Sequence, residues 1–140
     1  MTIELTIEGN SKDKCFDFSL RHESGVIPAT FWNAKEQTGS PPPVTLLQHG
    51  GPLHKRHERT DWVAESIVAG TGSAVLLIDG PIHGQRRADQ PELMEMLGIF
   101  KQYWQEDAGI DGLVSDWKMA LDAVLDQGWA DPERIAWVGV

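Results

Sequence analysis

The sequence predicts an α/β protein in which antiparallel hairpin strands feed a doubly wound, mostly parallel sheet. The opening third alternates apolar and polar residues with period two, between clusters of turn residues. Two later runs, residues 44–48 and 73–78, are short and continuously apolar, as strands covered on both faces are. A segment at helical spacing separates these runs and others follow them, so strand and helix alternate through the rest of the chain.

The elements follow in order. Residues 2–8 place Ile3, Leu5 and Ile7 on one face of a half-buried strand, and residues 9–13 carry turn chemistry. Residues 15–21 alternate again, with Phe16, Phe18 and Leu20 inward and Cys15 as core filler. Glu23, Ser24 and Gly25 close a hairpin onto residues 26–32, where Ile27, Ala29 and Phe31 share a face and Pro28 predicts an edge position or a bulge. Residues 34–43 form a polar connection that ends in the stiff Pro41-Pro42-Pro43. Between the two apolar runs, residues 59–69 predict a helix burying Trp62, Val63, Ser66 and Ile67, with Gly70 and Gly72 as stop signals. The result is a βαβ unit, for which a right-handed crossover is expected. A loop at 79–86 precedes an amphipathic helix over 91–105, with Leu93, Leu97, Phe100 and Trp104 on its face. Residues 107–111 break that helix at Gly109, and a second helix over 112–127 buries Leu113, Trp117, Ala120, Leu121, Val124 and Leu125. Gly128 ends it, and residues 134–140 form a final buried strand.

At 140 residues the chain is about one domain long, and 41% apolar with 24% charged residues suits a globular protein. A net charge of −9 with scattered basic residues argues against a nucleic-acid partner. The longest apolar run is too short to span a bilayer, so no membrane partner is expected. One cysteine rules out an intrachain disulfide framework, and no signal peptide is seen at the N-terminus; a cytoplasmic location is the default expectation.

The chemistry-bearing stretches sit at strand ends, where open parallel sheets bind ligands. His49-Gly50-Gly51-Pro52 ends the first buried run. It is either a plain glycine turn or a loop whose backbone amides approach a ligand. Pro52 has no N–H, so Gly51 is the best candidate for an oxyanion donor. Gly50, Pro52 and His54 are the candidate substrate-binding residues beside it. His49, His54 and His57 have spacing that invites a metal, but no Cys, Asp or Glu constellation completes a tetrahedral set, so no metal or other cofactor is expected. His49 reads better as a buried, hydrogen-bonded loop residue, and His54 as a rim residue. Asp79 and His83 have the spacing of an acid and base pair. The favoured reading is that Asp79 bonds backbone in its turn while Gly80 and Gly84 adopt unusual φ values. Arg86 and Arg87 either anchor this loop or meet an anionic substrate group. Phe100, Tyr103 and Trp104 are either the buried face of a helix or, if they overhang the strand ends, an apolar pocket.

Taken in order, His49-Gly50-Gly51-Pro52, the 79–86 loop and residues 131–140 resemble the N-terminal half of α/β-hydrolases of the dienelactone hydrolase and prolyl-oligopeptidase-like esterase type. Residues 23–29 are similar to the hairpin that precedes the buried strands there, and the resemblance runs from about Phe16 to Val140. It implies that residues 1–140 are the N-terminal part of a single α/β-hydrolase domain. It also implies a serine carboxylic-ester hydrolase that uses Gly51 N–H as one oxyanion donor and acts on a small-molecule ester. Gly139-Val140 would then open the Gly-x-Ser-x-Gly turn, with serine, histidine and acid beyond residue 140. An enzyme of this type has about 200–250 residues in one domain, so the remainder of the fold, from the same chain or a second one, is expected to be needed for activity. The alternative is a non-catalytic or truncated hydrolase fold serving as an interaction module. A nucleotide-binding βαβ protein ranks below both, because neither G-x-G-x-x-G nor a Walker lysine pattern is present.

Overall fold

One six-stranded sheet runs through the chain, with strands β1 (Glu4–Glu8), β2 (Cys15–His22), β3 (Gly25–Trp32), β4 (Val44–Gln48), β5 (Ala74–Ile78) and β6 (Ile135–Gly139). The helices are α1 (Glu58–Thr71), α2 (Leu93–Trp104) and α3 (Gly109–Asp126), with a 3-10 turn at Gly84–Arg86. This computed structural model describes residues 2–106 and 109–140. The spatial order is β1-β2-β3-β5-β4-β6, with β1 to β3 and β5 antiparallel and β5, β4 and β6 parallel. The predicted fold class is therefore the observed one, hairpins feeding a parallel sheet, and β4-α1-β5 is the predicted βαβ unit.

Period-two alternation builds the core on both faces. Phe16, Phe18 and Leu20 of β2, Ile27, Ala29 and Phe31 of β3, and Ala74, Leu76 and Ile78 of β5 face α3, against its Trp117, Ala120 and Val124. Trp32, Leu47, Val75 and Leu77 face the other way, against Ala64 of α1, with Cys15 packed at their edge. Because β5 is covered on both sides, it reads as a continuous apolar run. Gly72 ends α1 in the left-handed region at φ 72°, as its position predicts. Gly128, at φ 72°, ends α3 with Trp129 N–H bonding Val124 C=O and Gly128 N–H bonding Leu125 C=O, a Schellman closure. No helix among the described residues is long and apolar enough to cross a membrane.

Several local expectations are corrected. The first strand starts at Glu4; of the three residues expected to share its buried face, Leu5 packs against the core, while Ile7 in the strand and Ile3 just before it lie exposed. Pro28 lies in an internal strand between β2 and β5, neither at an edge nor in a bulge. Its carbonyl accepts Asp79 N–H beyond the last residue of β5, so its imide nitrogen points where no strand carbonyl needs a donor. In α1 the covered positions are Thr60 and Ala64, with Val63 and Ile67 half-buried against the same cluster, while Trp62 and Ser66 lie exposed, each two residues (about 200°) around the helix from Ala64. In α2 the inward residues are Met96, Ile99, Phe100 and Tyr103; Leu93, Leu97 and Trp104 face out. The break assigned to residues 107–111 falls partly on Asp107 and Ala108, outside the described residues, and Gly109 opens α3 rather than standing in a loop. A Cβ at Gly109 would stand 2.8 Å from the Tyr103 carbonyl oxygen, so the approach of α2 to α3 requires glycine there. Finally, among the described residues β6 pairs with β4 alone, and Ile135 and Trp137, expected to be buried, are exposed.

Candidate functional site

Parallel pairing of β5, β4 and β6 brings their carboxyl ends to one edge of the sheet, and the loops that leave them converge there. Val140 N–H bonds Gln48 C=O at 3.1 Å, and a Cβ at Gly50 would stand 3.0 Å from the Val140 carbonyl oxygen. The end of β6 thus lies directly beside the Gly50-Gly51 turn, and a side chain at position 50 would push them apart.

Two histidines hold this turn. His49 is 3% exposed; its Nε2 accepts the Gly80 N–H at 3.0 Å, and its Nδ1 lies 2.9 Å from the Gly50 carbonyl oxygen. A carbonyl only accepts, so the proton is assigned to Nδ1 and the ring is neutral. Burial, against the hydrogen bond to Gly50, lowers its pKa from 6.5 to about 4. His83, also buried, places Nε2 2.7 Å from the Gly51 carbonyl oxygen and therefore donates from Nε2, the opposite tautomer. Burial again lowers its pKa. The two rings meet edge-on at 4.6 Å.

The consequence is for the peptide joining Gly50 to Gly51. Its carbonyl receives His49 Nδ1–H and, at 3.0 Å, Leu53 N–H. The Gly51 N–H belongs to the same trans peptide and so points the opposite way. It meets no protein acceptor among the described residues. Two donors on the carbonyl also polarise the peptide and strengthen its N–H as a donor. The aromatic ring of Phe100, from α2, covers the same residue: a Cβ at Gly51 would stand 2.6 Å from Cδ1 and 2.9 Å from Cε1.

Asp79 organises the facing loop through backbone bonds, accepting Lys55 N–H at 3.0 Å on Oδ1 and Gln85 N–H at 2.9 Å on Oδ2. Both carboxylate oxygens are thus engaged in turn-building, as the favoured sequence reading has it. Gly84 takes φ +52° and a Cβ there would run into that carboxylate; Gly80, by contrast, does not adopt a positive φ and is small because His83 Nδ1 would lie 2.7 Å from its Cβ. Arg86 anchors the loop, its Nη1 2.5 Å from Asp116 Oδ2 on α3, and Arg87 pairs with Asp89.

Beyond the turn, Lys55 carries its ammonium into the interior. Its side chain is 2% exposed, and Nζ lies 3.2 Å from Asp17 Oδ1 on β2 and donates to Thr30 Oγ1 on β3 at 3.1 Å. Burial alone would raise the Asp17 pKa, but the Thr30 hydroxyl and the Lys55 charge outweigh it and lower the value. The loop after β4 is therefore tied to Asp79 by its backbone and to β2 and β3 by its lysine.

Of the residues chosen from the sequence, Gly50 and Gly51 meet Val140 and Phe100 as described, and Pro52 follows them half-buried. His54 is half-buried beside His57 at the start of α1, with ring centroids 5.7 Å apart. Its Nδ1 accepts Arg56 N–H at 3.3 Å, as His57 Nδ1, the α1 cap, accepts Arg59 N–H at 3.2 Å. Those lone pairs are spent on backbone, and among the described residues no group of three or more His, Cys, Asp or Glu is arranged to hold a metal ion. Sequence reasoning missed the parts played by Lys55, His83 and Phe100. The register that sets Asp17 opposite Thr30 was the available signal for a buried polar partner.

No protein-family model matches the chain, and no curated protein sequence matches it. Solved structures do. A PEG-bound cold-adapted esterase from an Arctic intertidal metagenomic library is 30% identical, with TM-score 0.69 over 99% of this chain and 55% of that one. A hyperthermophilic esterase from the archaeon Pyrobaculum calidifontis is 18% identical, with TM-score 0.58 over 91% of this chain and 34% of that one. An α/β-hydrolase enzyme from the metagenome of Lake Arreo, Spain, is 16% identical, with TM-score 0.60 over 91% of this chain and 34% of that one. The chain thus spans about half the length of the Arctic esterase, and a third of the other two. Sheet order, hairpin strands and structural likeness agree: this chain is part of an α/β-hydrolase fold.

Proposed function

We propose that the chain supplies the oxyanion side of a serine carboxylic-ester hydrolase. The observation that carries the reading is the Gly50–Gly51 peptide, whose carbonyl is held by His49 and Leu53 while its N–H points away without a protein acceptor among the described residues. A donor fixed before substrate arrives costs no reorganisation when negative charge develops on a carbonyl oxygen. The esterase likeness at 30% identity supports the same chemistry.

In this reading a serine beyond residue 140, following Gly139-Val140, attacks the ester carbonyl while a histidine takes its proton and a carboxylate orients that histidine. The tetrahedral oxyanion takes the Gly51 N–H. Its collapse expels the alcohol, protonated by the same histidine, and leaves an acyl-enzyme that water hydrolyses by the reverse path. His49 and His83 serve as positioning residues; their pKa values are lowered and each is committed to a glycine carbonyl, so neither is the triad base. Gly50, Pro52 and His54 line the approach, a small or medium acyl ester is the substrate class, no cofactor takes part, and the protein is cytoplasmic.

A fluorophosphonate probe tests this on the native protein. Labelling of one serine, with loss of activity against p-nitrophenyl esters, is the expected result. Folded protein that neither labels nor hydrolyses these esters overturns it.

A further inference from the structure

We propose that Phe100, projecting from α2 onto Gly51, is the residue that limits the length of the acyl chain; this rests on the ester-hydrolase reading above. The argument starts from the covered glycine. The Phe100 ring fills the space where a Gly51 side chain would stand, 2.6 Å (Cδ1) and 2.9 Å (Cε1) from the Cβ position. A carbonyl oxygen bound by the N–H of that residue lies about 3 Å from its nitrogen. The substituents on such a carbonyl carbon then lie within van der Waals reach of the ring.

The ring is held in place. The His83 imidazole, fixed by its bond to the Gly51 carbonyl, sits 5.5 Å away centroid to centroid, and the Trp104 ring sits 5.6 Å away. Phe100 is half-buried, so part of its surface still faces outward and can meet a ligand. The α2 residues around it add no polar group to this wall. Met96 is the buried residue of the helix, and the Tyr103 hydroxyl is turned away to the Gly109 carbonyl at 3.3 Å.

The α2 side chains packed around this aromatic plug bring no charge to it, and the His83 ring beside it has its Nε2–H committed to the Gly51 carbonyl, so the wall selects for hydrocarbon and against length. The assigned substrates are therefore esters of short, unbranched aliphatic acids. The acyl group, rather than the alcohol, is assigned to Phe100 because the acyl carbon stays attached beside the oxyanion donor through both halves of the reaction.

The experiment measures kcat/KM of the native protein for p-nitrophenyl esters from acetate to decanoate, and for acetate esters of alcohols of increasing length. Variants are Phe100→Ala, Phe100→Leu and, on the outward face of α2, Leu97→Ala. Wild type is expected to fall off beyond butyrate. Phe100→Ala is expected to raise the octanoate-to-acetate ratio by about tenfold or more, since each methylene admitted to an apolar pocket changes discrimination by that order. Phe100→Leu, which keeps bulk and guards against a variant that fails to fold, is expected to shift it less, and Leu97→Ala not at all. An unchanged acyl profile in both Phe100 variants, an equal shift in Leu97→Ala, or a shift confined to the alcohol series overturns the proposal while leaving the ester-hydrolase reading intact. A wild type that hydrolyses none of these esters removes both.

Discussion

Acidification from pH 7 to pH 4 is expected to destabilise the protein through His49 by an amount that can be worked from its surroundings. The imidazole is 3% exposed, is committed to Gly80 N–H and the Gly50 carbonyl, and titrates at about 4 rather than 6.5. A folded-state pKa below the unfolded value means that the unfolded chain binds the proton first. The contribution is therefore whole above pH 6.5 and is lost as the pH falls from 6.5 toward 4. Two and a half pKa units at 1.36 kcal/mol each set its size at about 3 kcal/mol. Urea unfolding of wild type and His49→Gln at intervals from pH 7 to pH 4 isolates it, because other groups titrate in both proteins and cancel. The variant is expected to be the less stable at pH 7, and the gap should narrow by about 3 kcal/mol by pH 4. A gap that stays constant across the range would refute the assignment of a neutral, buried His49 and with it the account of how the Gly50–Gly51 peptide is held.

Lys55→Met strands Asp17, which is still 29% exposed, and should cost about 2 kcal/mol, below the full penalty for breaking a buried pair. Adding Asp17→Asn should return part of it in a double-mutant cycle read by chemical unfolding. Gly84→Ala combines φ +52° with a Cβ driven into the Asp79 carboxylate, and in chemical unfolding is expected to cost more than the about 1–2 kcal/mol of a left-handed alanine alone. Gly51→Ala forces its Cβ against Phe100, so ester hydrolysis should drop sharply. Phe100→Ala in the same protein should restore much of it, and purely additive kinetics would count against the contact.

Local pattern carried the fold. Strict alternation in β2, the continuous apolar run of β5, and glycines 72 and 128 at helix ends each have a one-residue or two-residue physical cause that needs no knowledge of distant chain. The choice of helix face was less legible. In α1 and α2 apolar residues lie nearly all round, so periodicity does not say whether Trp62 or Ala64 meets the sheet, or whether Leu97 or Phe100 turns inward to the Gly51 loop.

At the candidate site, His49-Gly50-Gly51-Pro52 could be singled out because a missing Cβ and a missing N–H are properties of the residues themselves. Which atoms hold that turn was decided only when β4, β5 and β6 aligned their ends. The histidine bonds to the carbonyls of Gly50 and Gly51, the Phe100 ring on Gly51 and the Lys55 ammonium between Asp17 and Thr30 are contacts across strands and helices. Hydrogen-bond direction, tautomer and burial depend on distances between residues far apart in sequence, and those distances exist only in the folded sheet.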